Sequence, residues 1–540
     1  MAAPFQYNEN FIGETFNFHD AGLEEKRDPI RAHTPSRKKT TGIDSISFLR
    51  FATLTAAGVV LQVIVGLGSY SGEGRPPMYG DYEAQRHWME ITLNLPANEW
   101  YKNTTKNDLL YWGLDYPPLT AYHSLAMGYV ARYINPSWVK LGSSRGIETA
   151  THKVFMRLTA IISHLLVFAP ALYYYLKNAT GERVVPIIHQ AVLFTFFPAL
   201  MSVDHGHFQY NAVSLGMFLL SYTLLVKTNY TRGAIAFTLA LNYKQMELYH
   251  SLPIFVFLLV RSISFTSIEG VRAISVGWTV AAVAKIGWSV ILTFAVLWSA
   301  VVSPSSSSTT DTAATQNALA VIGRIFPFNR GLYEDKVANM WCAFSWLIKF
   351  NQFRREFLIQ MSLITVLLTS LPSLIKLFFS PNHRNFRLTL FIVSLNFFLF
   401  SFQVHEKSIL LPAIPALLLV PDYPALSLSF LQTANLSLYS LCVKDQNEVH
   451  IILFIAYSFY MGYLWIQFIK GSCIRVWVFI FRGVILVFLC ACESLVRPPP
   501  EYPHLFPLAI AFFSCIFFLI DLIYANSLLI LLPGVKPKTD

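Results

Sequence analysis

The chain has 540 residues, 54% of them hydrophobic and only 13% charged, with a formal net charge of +10. Apolar stretches long enough to cross a bilayer recur along most of it, which excludes an ordinary soluble domain and a disordered chain. The surplus Lys and Arg fall mainly at the ends of these stretches and in short loops, a pattern of topology control that excludes nucleic acid as a partner.

Residues 1–45 form a polar tail with Arg37-Lys38-Lys39 just before the first apolar span at 46–68, which predicts a cytosolic N-terminus and no cleavable signal peptide. Residues 69–151 then fall on the opposite, luminal side. Within them, Tyr79 to Pro118 combines charge with aromatic density. Gly80-Asp81 reads as a helix start, and Ala84, Trp88, Ile91 and Leu95 recur at helical spacing, predicting an amphipathic interfacial helix with Asp81, Arg86 and Glu90 on its polar face. Asp115 lies in a turn before Pro117-Pro118. Two carboxylates, Asp81 and Asp115, are thereby offered to one surface; the competing reading makes Asp81 a helix cap and Asp115 a turn residue only.

Further spans are expected near 153–176, 185–203, 211–227, 233–249, 251–263 and 274–302, within a membrane block at 152–302. A second luminal loop follows at 303–355, opening on a Ser/Thr-rich stretch of loop character and becoming aromatic and charged from Arg324 to Trp341. A second membrane block at 356–533 holds spans near 357–379, 387–402, 408–421, 426–443, 450–470, 475–496 and 504–533, for a total of about fourteen. The tail at 534–540 returns to the cytosol. Its Lys536-Pro537-Lys538-Thr539-Asp540 resembles a dilysine signal that returns membrane proteins to the endoplasmic reticulum. His383, Arg384, Arg387, Lys470 and Arg475 agree with this topology, and Arg354 and Arg355 run against it. Of four glycosylation sequons, Asn103 alone is comfortably luminal.

The six cysteines show no metal or redox spacing, so no disulfide framework is expected. Polar clusters at Asp204 to Asn211, Arg324 to Trp341 and His405-Glu406-Lys407 converge on the luminal surface with Asp81. Ionisable groups at such depth are usually functional. His205 and His207 with Asp204, or Asp81 with Glu83, do not make a metal site: residues two apart on a helix do not share a face, and no third ligand stands at a recognisable spacing. A carboxylate base with cations around a departing lipid phosphate would suit glycosyl transfer.

Gly80 to Glu90 (GDYEAQRHWME), Trp112 to Pro118 (WGLDYPP), His207 to Asn211 (HFQYN), Phe326 to Trp341 (FPFNRGLYEDKVANMW) and His405-Glu406-Lys407 occur in this order. In them the chain resembles the endoplasmic-reticulum glucosyltransferases that build the dolichol-linked N-glycan precursor, in glycosyltransferase family 57 of the GT-C superfamily. The Glu83 to Trp88 and Glu334 to Asn339 forms are those of the member that adds the first glucose. The resemblance implies an all-α polytopic GT-C fold with about fourteen transmembrane helices and luminal loops bearing amphipathic interfacial helices. It implies inverting transfer of glucose from dolichyl-phosphate-glucose to Man9GlcNAc2-diphosphodolichol in α-1,3 linkage, without cofactor, metal or obligate protein partner. By the same resemblance Asp81 is the base, and Asp115 orders the acceptor or the loop. His405, Glu406 and Lys407 lie near the donor phosphate, aided by Arg86 or His87, with Tyr116, His207 and Gln209 supporting substrate. The alternatives are the sister enzyme that adds the second glucose and, from other classes, a polytopic lipid or solute transporter or a structural subunit.

Overall fold

The computed structural model describes residues 46–179, 183–268, 271–304, 311–326, 333–334, 336–447, 449–469 and 473–531. The two tails, residues 305–310 and most of the Phe326 to Asp335 motif lie outside them. Among the described residues the fold is helical, with only two small two-stranded sheets, Phe265–Ile268 against Val271–Ile274 and Tyr333–Glu334 beside Val404–His405.

Among the described residues nine helices are long and apolar enough to cross a membrane: Phe48–Leu67, Ala150–Asn178, Ile187–Phe208, Val276–Val302, Arg355–Phe379, Pro424–Lys444, Val449–Phe468, Val476–Leu495 and Leu505–Leu531. The five other expected spans are shorter or more polar helices, Asn211–Val226, Tyr230–Tyr243, Ser251–Arg261, His383–Phe400 and Leu410–Leu419. Most of these pack inside the bundle, whereas Ser251–Arg261 buries only Pro253, Ile254 and Phe257 and leaves Phe255 exposed. Every residue from Leu410 to Leu419 is buried, and Phe386 of the His383–Phe400 helix stacks on Phe257 at 4.1 Å between ring centroids. The expected span over 233–249 stops at Tyr243, and Lys244 beyond it has extended backbone.

The segment after the first span, α1 (Phe48–Leu67), folds into a small unit of its own built on α2 (Gly80–Asn94) and α3 (Pro118–Ile134). The two helices approach closely at Gly128, where a Cβ would stand 2.8 Å from the Met89 carbonyl oxygen. The expected interfacial character of α2 is not what forms: every residue from Tyr82 to Thr92 is buried. Its apolar face meets Trp100, Leu114 and the helix Asp311–Ile325 through Val321 and Ile325, so part of the stretch read as loop is helical and covers α2.

The Glu83, Arg86 and Glu90 side chains of α2 are satisfied internally, while His87 Nε2 is buried without a described partner. Arg86, fully buried, donates to Glu83 at 2.6 and 2.8 Å, to Ser144 at 2.6 Å and to the Trp138 carbonyl at 3.3 Å, and pairs with Glu90 at 2.7 Å. Tyr111 donates to Glu83 and the Gly142 amide donates to Glu90. Spacings of three and four residues put Glu83, Arg86 and Glu90 on one helix face, and burial makes the pairing obligatory. The burial of Glu90 opposes its charge, but hydrogen bonding from His87 and the Arg86 guanidinium bring its carboxyl down to about 2. Removing the cation strands two buried carboxylates. Arg86→Ala is expected to lower stability by about 3–5 kcal/mol, read as a lowered midpoint of thermal unfolding in detergent.

Candidate active site

Asp81 is the second residue of α2, and its position is set by backbone alone. Tyr79 and Gly80 both take left-handed conformations, with φ of 57° and 67°. A Cβ at Gly80 would lie 2.5 Å from the Ser71 carbonyl oxygen, so only glycine fits the turn. The Asp81 amide donates to Ser71 Oγ at 3.1 Å. The carboxylate does not cap its helix; it reaches other parts of the chain.

Asp81 Oδ2 accepts from Lys407 Nζ at 2.7 Å and from Gln209 Nε2 at 2.5 Å, and lies 3.1 Å from His207 Nε2. No described residue donates to Oδ1. The Asp81 side chain keeps about a quarter of its surface exposed, whereas Lys407 keeps 12% and His207 6%. Burial would raise the Asp81 carboxyl; the Lys407 ammonium, ahead of His207, holds it well below the usual carboxylate range. Burial equally disfavours the Lys407 charge, and the Asp81 carboxylate more than offsets this, raising the ammonium.

His207 and Gln209 reach the same oxygen because the chain between them is kinked. Ser202–Phe208 is a π-helical turn, and Phe208 ends it at φ 87°, a conformation rare for a bulky side chain. Such outliers gather at functional sites. Asp204 holds the far side of the turn by accepting from the Asn211 and Ala212 amides at 3.0 and 2.6 Å and from Asn211 Nδ2 at 2.7 Å.

Two residues that the sequence reading left out complete the cluster. Asp445 Oδ2 lies 2.6 Å from His207 Nδ1, so His207 bridges two carboxylates through its two ring nitrogens. Its Nε2 is also 3.0 Å from Lys407 Nζ, and therefore either donates to Asp81 or accepts from Lys407. Lys244 donates to Gln209 Oε1 at 3.2 Å and to Asn211 Oδ1, and its ammonium stands 5.1 Å from the Tyr116 ring centroid. No described carboxylate lies within ion-pair distance of it. Burial pushes the Lys244 ammonium down to about 8. A break in helical pattern at Leu241 to Gln245 was the only trace of Lys244 in the sequence, and Asp445 had none.

The other expected residues are placed as follows. Tyr116 joins the cluster through Lys244, and its carbonyl accepts from Tyr101 at 2.7 Å. Asp115 lies in the neighbouring turn, tied by its carbonyl to Gln245 at 3.1 Å, while Arg324 donates to the carbonyls of Gly113 and Leu114. Its side chain is not among the groups on Asp81. His405 pairs in the short parallel sheet with Glu334, next to Glu406, one of whose carboxylate oxygens is buried without a hydrogen-bond partner. Arg86 and His87 do not reach Asp81. At about 100° per residue they leave α2 rotated well over 100° from it, Arg86 into the ion pairs above and His87 3.3 Å from Glu90. Among the described residues no group of three or more His, Cys, Asp and Glu could hold a metal. Asp81 and Asp445 take opposite nitrogens of His207 and so do not converge on a point.

The site thus offers an ionised carboxylate with one oxygen pinned and one open, two buried ammonium groups and a ring of amide and aromatic side chains. That is the equipment for proton abstraction beside an anionic leaving group. A family model described as the ALG6, ALG8 glycosyltransferase family matches residues 55–524. A Caenorhabditis elegans protein named "Probable dolichyl pyrophosphate Man9GlcNAc2 alpha-1,3-glucosyltransferase" is 45% identical over 467 residues, 86% of either chain. The Gallus gallus dolichyl pyrophosphate Man9GlcNAc2 alpha-1,3-glucosyltransferase is 40% identical over 86% of this chain and 94% of its own. The protein of that name from Saccharomyces cerevisiae is 40% identical over 72% of this chain and 69% of its own. With a polytopic helical fold and this match over most of its length, the chain belongs to the ALG6, ALG8 glycosyltransferase family.

Proposed function

We propose that the protein transfers glucose from dolichyl-phosphate-glucose to Man9GlcNAc2-diphosphodolichol in α-1,3 linkage, with Asp81 as the base. The observation that carries this is the Asp81 carboxylate, fixed through Oδ2 by Lys407, Gln209 and His207 and open at Oδ1 among the described residues. The names of the relatives support the acceptor, the sugar and the linkage. In the reaction the acceptor 3-hydroxyl attacks glucose C1 and passes its proton to Asp81 Oδ1. The C1–O bond to phosphate breaks, and the lipid phosphate leaves with the electron pair and one more negative charge. Because a single base acts in one displacement, the anomeric configuration inverts.

Lys407 and Lys244 are the cations that would meet this growing charge, with His405 beside them. A carboxylate with lowered proton affinity is a weak base, so bond breaking to the phosphate leads and proton transfer follows. Lys407 then has two tasks: it keeps Asp81 ionised at rest and turns toward phosphate as Asp81 takes up the proton. Asp445 positions His207, and Tyr116 and Asp115 border the acceptor side.

We place the protein in the endoplasmic-reticulum membrane with the Asp81 site luminal and both termini cytosolic. Supporting this, Arg183, Lys227, Arg384 and Arg387 stand at the helix ends remote from Asp81, where the positive-inside rule puts the cytosol. Asn103, exposed on the unit that carries α2, is the proposed glycan acceptor.

The test is glucose transfer by purified protein with defined donor and acceptor. Wild type is expected to glucosylate Man9GlcNAc2-diphosphodolichol, and Asp81→Asn to lose about 10²–10⁴-fold in rate while still unfolding cooperatively, with a midpoint lowered by the loss of the Lys407 ion pair. Transfer only to the monoglucosylated acceptor would move the assignment to the second glucose. Asp445→Asn is expected to lower kcat about tenfold or more with KM for donor little changed, since it weakens a charged hydrogen bond behind His207. Lys244, with its pKa lowered to about 8, is charged below that pH and neutral above it. Transfer should therefore fall on an alkaline limb near pH 8, and Lys244→Arg should move that limb upward.

A further inference from the structure

A second cluster of cations lies at the opposite end of the bundle from Asp81. The helix Asn211–Val226 starts beside Gln209 and Lys244 and ends at Lys227, about 24 Å away for 16 residues. At that end a cleft is lined by Arg183, Lys227 and Arg387, with Asp422, Asn178 and Tyr222 among its other walls. Asn178 closes the span Ala150–Asn178, so the cleft opens where that helix leaves the apolar layer.

The pairing of these cations is incomplete. Asp422 is the described carboxylate in the cleft, and it is bound by Arg387 Nη2. Arg387 Nη1 reaches the Tyr222 hydroxyl at 3.4 Å, and its Nε is buried with no hydrogen-bond partner. Lys227 donates to the neutral Asn178 amide oxygen at 2.6 Å, and Arg183 to the neutral Gln190 amide oxygen at 3.1 Å. Of these only Arg387 Nε is a buried charged donor without an acceptor, an arrangement rare in folded proteins and usually explained by an ion or ligand; Lys227 is exposed at the cleft and Arg183 half-buried. Three cations around one cleft, one of them holding a free guanidinium N–H, match an anion with several oxygens at once.

We infer that this cleft binds a phosphate group at the level of the lipid headgroups, through Arg183, Lys227 and Arg387. The same chemistry is presented by an anionic phospholipid and by free phosphate. Clefts of this kind between transmembrane helices are built for headgroup phosphates, which the bilayer supplies at high local concentration. A bound phosphate would tie together the helices ending at Asn178 and Lys227 and the one starting at His383. The site would thereby brace the bundle at the end remote from the chemistry.

The experiment uses the full chain purified in neutral detergent, with phosphatidic acid, phosphatidylcholine or inorganic phosphate added, and reads native mass spectrometry and the thermal unfolding midpoint. Phosphatidic acid should bind at least about tenfold more tightly than phosphatidylcholine and raise the midpoint. Arg183→Gln and Lys227→Gln, which break no described ion pair, should each weaken it about tenfold while the lipid-free midpoint stays unchanged. Saturation by inorganic phosphate alone, lost in the same two variants, would also support the site and assign it to free phosphate. Equal binding of the two lipids with no binding of phosphate, or binding that neither variant changes, would overturn it.

Discussion

One carboxylate oxygen, Asp81 Oδ2, meets three residues from two distant parts of the chain: His207 and Gln209, 126 and 128 residues from it in sequence, and Lys407, 326 residues from it. The rest of the site depends on that junction. An aspartate and a lysine buried together are tolerated only as a pair, because each alone would lose its hydration without compensation. Asp81 keeps its charge because Lys407 is there, and Lys407 keeps its own because Asp81 is there. The helical bundle brings the two elements to one end, and Gly80, where any Cβ would strike the Ser71 backbone, directs the carboxylate toward it.

The charges of α2 divide by helix face. Glu83, Arg86 and Glu90 are consumed by one another and by Ser144, Tyr111 and Gly142, and they anchor α2 to the loop that carries Trp138. Asp81 alone faces the transmembrane elements. Dense charge in one short motif therefore serves two purposes, and the motif does not say which residue serves which. The second lysine, Lys244, is held only by neutral groups and the Tyr116 ring, so it stands ready for an incoming anion where Lys407 is already engaged.

The helical class, the positions of the apolar segments and the gathering of the polar clusters that hold Asp81, His207, Gln209 and Lys407 at one surface were legible in the sequence, because hydropathy and charge placement are local signals. What was not legible was three-dimensional. Arg86 and His87 stand close to Asp81 in the chain, yet helical rotation carries them away from it. Lys244 and Asp445 resemble ordinary polar residues at span ends, and only the fold brings them beside Gln209 and His207. The apolar cluster that holds α2 includes Val321 and Ile325, more than two hundred residues downstream, which no periodicity within Gly80 to Asn94 could announce. The five shorter helices fall short of the length or hydropathy of the nine, and among them Leu410–Leu419 and most of His383–Phe400 are buried by the rest of the bundle.

The central claim is that Lys407 keeps Asp81 ionised and aimed as the base. Its most direct test is the pH dependence of single-turnover transfer in wild type and in Lys407→Met. With the ammonium gone, burial acts on Asp81 unopposed. The acid limb of the profile is then expected to rise by about 1–3 pH units, from below the ordinary carboxylate range into the mildly acidic range, whatever the loss in maximal rate. An acid limb that stays where it is in wild type would contradict the account.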